Sequence, residues 1–245
     1  MVFSTPRFRI RTGARTLIVR NTSWSTRGLI YWKPDWKTAL ISHVVSQRGG
    51  TFLDVGANIG QTLVDFLAAP AQGRYIGFEP NHICAQQIDR VIADNDLRGR
   101  CSVVPVGLSD ATEIIPLYLA PGEANDTGAT IMADLRPNRE YATTLIPVYR
   151  LDDIADRLGI DEVALIKIDV EGAELQVLHG MTAMLKNSKP WIICEILHRD
   201  SQAAEQEYMK KVGDIAQFLA DHSYEAYQLV KDESGANIID LVRTV

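Results

Sequence analysis

The stretch Phe52-Leu53-Asp54-Val55-Gly56-Ala57-Asn58-Ile59-Gly60 decides how this chain is read. Thr51–Val55 is rich in β-formers and ends on a glycine; residues 61–69 then carry helical spacing until Pro70 stops it. A buried strand, a glycine turn and a helix start, in that order, form the ligand-bearing crossover of an open α/β sheet. Such sheets place their ligands at the carboxyl ends of the strands. Gly56 and Gly60 let the backbone approach a ligand where a Cβ would clash, and Asp54 stands at the strand's end. The helix start can offer N–H groups to a carboxylate. A dinucleotide site would need Gly-x-Gly-x-x-Gly, and this chain has Asn58 and Gln61 at the second and third glycine positions, which disfavours a nicotinamide oxidoreductase. The amino-acid end of S-adenosylmethionine, with its ammonium and carboxylate, suits the turn better. Asp54, Gly56, Ala57, Asn58 and Gly60 are therefore the first candidate cofactor-binding residues.

Outward from that turn, strands and helices alternate. Arg74–Phe78 reads as a second strand, 82–95 as a helix, 101–106 as a third strand, 164–170 as a fourth, 175–185 as a helix, 191–197 as a fifth strand and 202–222 as a helix. Residues 224–230 and 237–242 flank the turn sequence 232–235 and predict a C-terminal antiparallel strand pair. The alternation implies an α/β fold with a doubly wound, mainly parallel sheet covered on both faces. Residues 111–150 break the rhythm. Glu113–Leu119 has strand character, whereas 121–139 is rich in Gly, Asn, Asp and Pro and reads as a loop. A long loop inside a compact domain suggests a lid or a substrate wall. The expected organisation is a basic N-terminal cap over 1–48 and a catalytic domain over 49–245 with a loop-rich insertion at about 111–150.

Further candidates fall at the ends of the later strands. Glu79 closes the second strand, where an acid can accept both ribose hydroxyls of a nucleoside, and Phe78 or Pro80 can flank the sugar or base. Ser109 and Asp110 follow the third strand, within reach of an adenine in such an architecture; a plain Ser-Asp turn is the competing reading. The fourth strand ends in Lys167-Ile168-Asp169-Val170-Glu171-Gly172-Ala173-Glu174. Asp169 should face the cleft, while Glu171 or Glu174 can instead cap the next helix. Methyl transfer from a sulfonium is an in-line displacement that gains from positioning. An alcohol acceptor also gains from a general base. His198, four residues after Cys194, has a suitable ordinary pKa for that role, with Glu195 to orient it. Asp169, Glu171 and His198 are the catalytic candidates. Asp169, Glu195 and His198 have no compact metal-ligand spacing, so no metal is expected. The fourth strand is not followed by Asn/Asp-Pro-Pro-aromatic, the stacking platform common where exocyclic base amines are methylated. That moves the acceptor towards oxygen.

The chain has 245 residues and a formal net charge of −6. It has no run of eighteen apolar residues and no secretory signal pattern, so a cytoplasmic protein without a transmembrane segment is expected. Cys84, Cys101 and Cys194 lack Cys-x-x-Cys spacing and read as buried, reduced thiols. The first 48 residues hold nine Arg and Lys residues against Asp35 alone. Such an arm can attract an anionic partner. The apolar residues threaded through it, Leu17, Ile18, Val19, Leu29, Ile30 and Trp32, favour packing on the acidic body of the same chain or of a second subunit in a homo-oligomer.

Taken together, the first stretch, Gly77-Phe78-Glu79-Pro80, Leu108-Ser109-Asp110, Leu151-Asp152-Asp153, Ile166-Lys167-Ile168-Asp169-Val170-Glu171-Gly172-Ala173-Glu174 and Glu195-Ile196-Leu197-His198 resemble the FkbM family of methyltransferases. The resemblance runs from about Thr51 to His198. It implies a Rossmann-like class I methyltransferase fold, S-adenosylmethionine as donor, and a hydroxyl of a sugar, glycan or natural product as acceptor. It puts Asp54, Gly56, Asn58, Gly60 and Glu79 on cofactor positions and Asp169 at the cleft. The alternatives are an RNA methyltransferase that uses the basic arm, or a cofactor-binding module without catalysis. Nucleic acid is the less favoured partner.

Overall fold

The computed structural model describes residues 6–13, 15–20, 26–70, 73–122, 128–132, 140–197 and 202–244. Along the chain run β1 (Arg7–Thr12), β2 (Arg15–Arg20), α1 (Arg27–Ile30), α2 (Trp36–Arg48), β3 (Thr51–Val55), α3 (Gln61–Ala68), β4 (Arg74–Phe78), α4 (His82–Asp94), β5 (Cys101–Val104) and β6 (Gly107–Leu108). They are followed by β7 (Glu113–Leu119), β8 (Ala142–Tyr149), α5 (Leu151–Ile154), β9 (Val163–Ile168), α6 (Glu174–His179), α7 (Thr182–Ser188), β10 (Trp191–Cys194), α8 (Gln202–Asp221), β11 (Tyr227–Lys231) and β12 (Ile238–Arg243).

Five of these strands form the central sheet in the order β10-β9-β3-β4-β5, every neighbour parallel. All residues of β3 and β9 are buried, as apolar layers on both faces require. Period-two alternation splits them. Phe52 packs with Leu63, Phe66, Tyr75 and Ile88 on one side. Leu53, Val55, Ile76, Ile166 and Ile168 pack with Leu178 and Phe218 on the other. From β3 the chain winds one way through β4 and β5, then returns to place β9 and β10 on the opposite side. The strand order therefore reverses between β3 and β9, where a crevice opens at the carboxyl ends. β11 and β12 form the expected C-terminal antiparallel pair.

Two regions differ from the sequence-based expectation. The stretch read as one helix over 175–185 is two, α6 and α7, broken at Gly180. A Cβ on Gly180 would come 1.9 Å from the carbonyl oxygen of Ser109, so the chain passes too close for any other residue. Helix α7 is capped from a distance: Asp152 accepts from the N–H groups of Ala183 and Met184 at 2.9 and 3.0 Å. Residues 111–150 supply two strands of a small second sheet, β6-β8-β7, with β7 and β8 antiparallel from Glu113↔Val148 to Leu119↔Ala142. Pro147 masked β8 in the sequence, because proline reads as a strand breaker. Of the presumed loop 121–139, residues 121–122 and 128–132 are described, and Thr130 bridges Tyr118.

The basic N-terminal segment folds onto its own chain. β1 and β2 form a hairpin whose Ile10, Leu17 and Val19 enter the core beside Leu63 and Val91. Asn95 exchanges two hydrogen bonds with the backbone of Ile18, and Arg20 grips Asp94 through two nitrogens. Among the described residues no helix is long and apolar enough to cross a membrane. Cys84 and Cys101 are buried thiols, whereas Cys194 is half-buried rather than enclosed, because it ends β10 at the open side of the sheet.

Candidate active site

The crevice holds about 660 Å³ of empty space, counting its open mouth. Its floor is the turn after β3, where Gly56 has φ +78° and a Cβ would lie 1.8 Å from the carbonyl oxygen of Asp169. Only glycine fits there. Asn58 follows at φ +51°, a conformation asparagine tolerates. One wall is apolar, built by Phe78, Pro80, Gly107, Leu108 and Val148. The opposite wall carries Asp169, Val170 and Glu171. Leu117, Ala129, Thr130 and Ile131, from the insertion, also line the crevice.

Glu79 lies at the β4 end, buried, with both oxygens engaged by backbone donors. The N–H of Asn58 donates to Oε2 at 2.7 Å and that of Asn81 to Oε1 at 2.8 Å. Burial pushes its carboxyl up to about 7, against the pull of those two N–H groups. Glu79 lies behind the crevice rather than on it: Phe78 and Pro80 on either side line it, and Glu79 does not. Asp54 is turned the other way. It is wholly buried and accepts from the Tyr75 hydroxyl at 2.6 Å. Its Oδ1 lies 3.4 Å from the ammonium of Lys167, which is also 3.2 Å from Oδ2 of Asp169 and 3.5 Å from the carbonyl oxygen of Gly56. Burial by itself would lower the Lys167 pKa, but Asp54 and Asp169 more than offset it and hold the ammonium above its ordinary value. Burial raises Asp54, with Lys167 opposing. Asp169 is the member of this group that reaches the crevice, its side chain about a third exposed at 34%.

Residues 54–226 match the model of the methyltransferase FkbM domain. The chain belongs to the FkbM methyltransferase domain family. The FkbM chain is 26% identical over 156 residues to methyltransferase sdnD of Sordaria araneosa, covering 53% of this chain and 59% of that protein. It is 30% identical over 145 residues to the hexuronic acid methyltransferase AglP of Haloferax volcanii, covering 58% of this chain and 54% of that one. It thus spans little more than half the length of these two curated relatives. A solved methyltransferase FkbM from Methylobacillus flagellatus KT aligns with a TM-score of 0.47 at 20% identity, over 81% of this chain and 44% of that one.

Within the FkbM domain the remaining candidates are placed unevenly. Gly56, Asn58, Pro80, Asp169 and Glu171 line the crevice, whereas Ala57 and Gly60 sit behind it and shape the turn into α3. Ser109 and Asp110 do not line it; the preceding Gly107 and Leu108 do. Ser109 is buried against Gly180, its N–H donating to Tyr149, and Asp110 is exposed. Glu171 adopts φ +53°, and its carbonyl accepts from the Thr130 hydroxyl at 2.7 Å. Glu174 is buried and structural: it accepts from the N–H of Gly172 at 2.8 Å and pairs with Lys211 at 3.3 Å. His198 lies outside the described residues, and Glu195 is exposed just past β10. Among the described residues no three His, Cys, Asp or Glu side chains cluster to hold a metal. The sequence motif at the end of β9 assigns Lys167 no role. The signal was a charged residue within an otherwise apolar buried strand.

Proposed function

We propose that this chain is an S-adenosylmethionine-dependent O-methyltransferase acting on a hydroxyl of a sugar, glycan or natural-product acceptor. The observation that carries the reading is the placement of Glu79 and Asp169 on opposite sides of the Gly56 turn at the switch point of the sheet. The residues present fit the donor. Glu79, oriented by two N–H groups, would accept the ribose hydroxyls, and the apolar wall of Phe78, Pro80 and Leu108 would take the base. The turn at Gly56 and Asn58 brings backbone close to the amino-acid end, and Asp169 faces the cationic portion. When bound, the donor supplies a methyl group made electrophilic by its sulfonium. The chain's task is then to align an acceptor oxygen, exclude water and receive a proton. Ala129, Thr130 and Ile131, which line the crevice, would border the acceptor. Asp169, Glu171 and His198 are the proposed catalytic residues, with His198 as base. The name of the Haloferax volcanii relative, a hexuronic acid methyltransferase, supports an oxygen-rich acceptor.

Calorimetry with S-adenosylmethionine tests the donor, with binding expected and weakened at least tenfold in Glu79→Ala. Labelled donor offered to pools of hydroxylated acceptors, with mass spectrometry of the product, tests the reaction. A labelled amine and no labelled ether would overturn the oxygen assignment. His198→Ala is expected to slow turnover while leaving donor affinity unchanged.

A second reading has one observation in its favour: Arg7, Arg9 and Arg11 are all exposed and alternate along one face of β1. An RNA methyltransferase using that face would bind RNA with an affinity falling steeply as salt rises. Charge reversal at the three arginines without loss of RNA affinity would remove this reading.

A further inference from the structure

Lys167 sits within an otherwise apolar buried strand and is 6% exposed. Its neighbours Leu165, Ile166 and Ile168 are wholly buried, and an apolar side chain would avoid the several kcal/mol that desolvating an ammonium costs. A lysine there needs a reason beyond packing. An ammonium has three donors, and three acceptors surround this one: Asp54 Oδ1 at 3.4 Å, Asp169 Oδ2 at 3.2 Å and the Gly56 carbonyl at 3.5 Å. Lys167 does not line the crevice, so it acts there through its partners. Asp54 cannot reach the crevice, being wholly buried and bonded to Tyr75. Only Asp169 is exposed there. The groups form a chain from the core to the wall: Tyr75, Asp54, Lys167, Asp169.

We propose that Lys167 is a positioning residue for methyl transfer, an ammonium anchored on buried Asp54 that fixes Asp169 by one oxygen and presents the other to the cationic portion of the donor. Asp169, the exposed member, carries its carboxylate at the crevice wall. Asp54 supplies the counter-charge that lets Lys167 hold Asp169 without fully neutralising it. This assignment rests on the crevice accepting S-adenosylmethionine.

A double-mutant cycle read by calorimetry tests it. Lys167→Met and Asp169→Asn should each weaken S-adenosylmethionine binding at least tenfold. The double variant should bind no more weakly than Asp169→Asn alone, because Lys167 acts only through Asp169. Lys167→Arg, which keeps the cation, should recover part of the affinity. Thermal unfolding of each variant fixes the folded fraction, and if Lys167→Met does not fold, Lys167→Gln takes its place in the cycle. Multiplying losses, unchanged affinity in the Lys167 variants, or unchanged affinity in Asp169→Asn would each overturn the assignment. A wild-type chain that binds no S-adenosylmethionine would instead overturn the donor reading.

Discussion

Glu79 shows how one residue ties the site to pH. In the unfolded chain its carboxyl ionises near the ordinary value of 4.5, whereas in the fold burial holds the proton up to about 7. Between those values the native state binds more protons than the unfolded state. Stability therefore falls as pH rises through that window, by roughly 3 kcal/mol for this group. Donor binding should run in the opposite direction, because the ionised carboxylate is the form that accepts two hydroxyls. Ligand-free thermal midpoints should drop between pH 5 and pH 8 while S-adenosylmethionine affinity climbs through about pH 7; Glu79→Gln should flatten both profiles. Gly56 makes a steric prediction. With φ +78° and the Asp169 carbonyl 1.8 Å from a Cβ, Gly56→Ala cannot keep the turn. Chemical denaturation should show a loss of about 2 kcal/mol or more, with donor binding lost as well.

At the scale of elements, two contacts join parts of the chain that sequence spacing does not relate. The hydroxyl of Thr130 donates to the carbonyl of Glu171 and accepts from the N–H of Met132, pinning residues 128–132 across the crevice. Thr130→Val keeps the shape and removes both bonds. Stability should fall by about 1 kcal/mol, and KM for the acceptor should rise several-fold while donor affinity stays constant. Steady-state kinetics with calorimetry would check this. Asp152 caps α7 from α5, so Asp152→Ala should cost about 1 kcal/mol of unfolding free energy in denaturant titration without changing donor binding. The Leu151-Asp152-Asp153 string of the family resemblance thus includes a structural cap that no local pattern reveals, since the N–H groups it serves lie about thirty residues on.

For the whole molecule, the hairpin β1–β2 is part of the core. Deleting residues 1–20 would strip Ile10, Leu17 and Val19 from the layer that covers α3 and α4. Each buried aliphatic side chain contributes on the order of 2 kcal/mol, so the truncated chain should lose several kcal/mol in denaturant unfolding. The order of the five central strands and of the helices α3, α4 and α8 was legible in the sequence, because strand burial, glycine turns and helix periodicity are local consequences of residue type. The C-terminal strand pair was legible for the same reason, and so was the family, through motifs at the strand ends. By itself the sequence determined which residues stand at the carboxyl edge of the sheet, since a strand's end is fixed by its own pattern. Only the tertiary structure decided which way those side chains turn. Asp54 faces inward to Tyr75 and Lys167, Ser109 packs under Gly180, and β8 finds β7 despite Pro147. The reason is that charge pairing, close backbone approach and strand partnering depend on neighbours brought together across many tens of residues, and one-dimensional spacing carries no record of them.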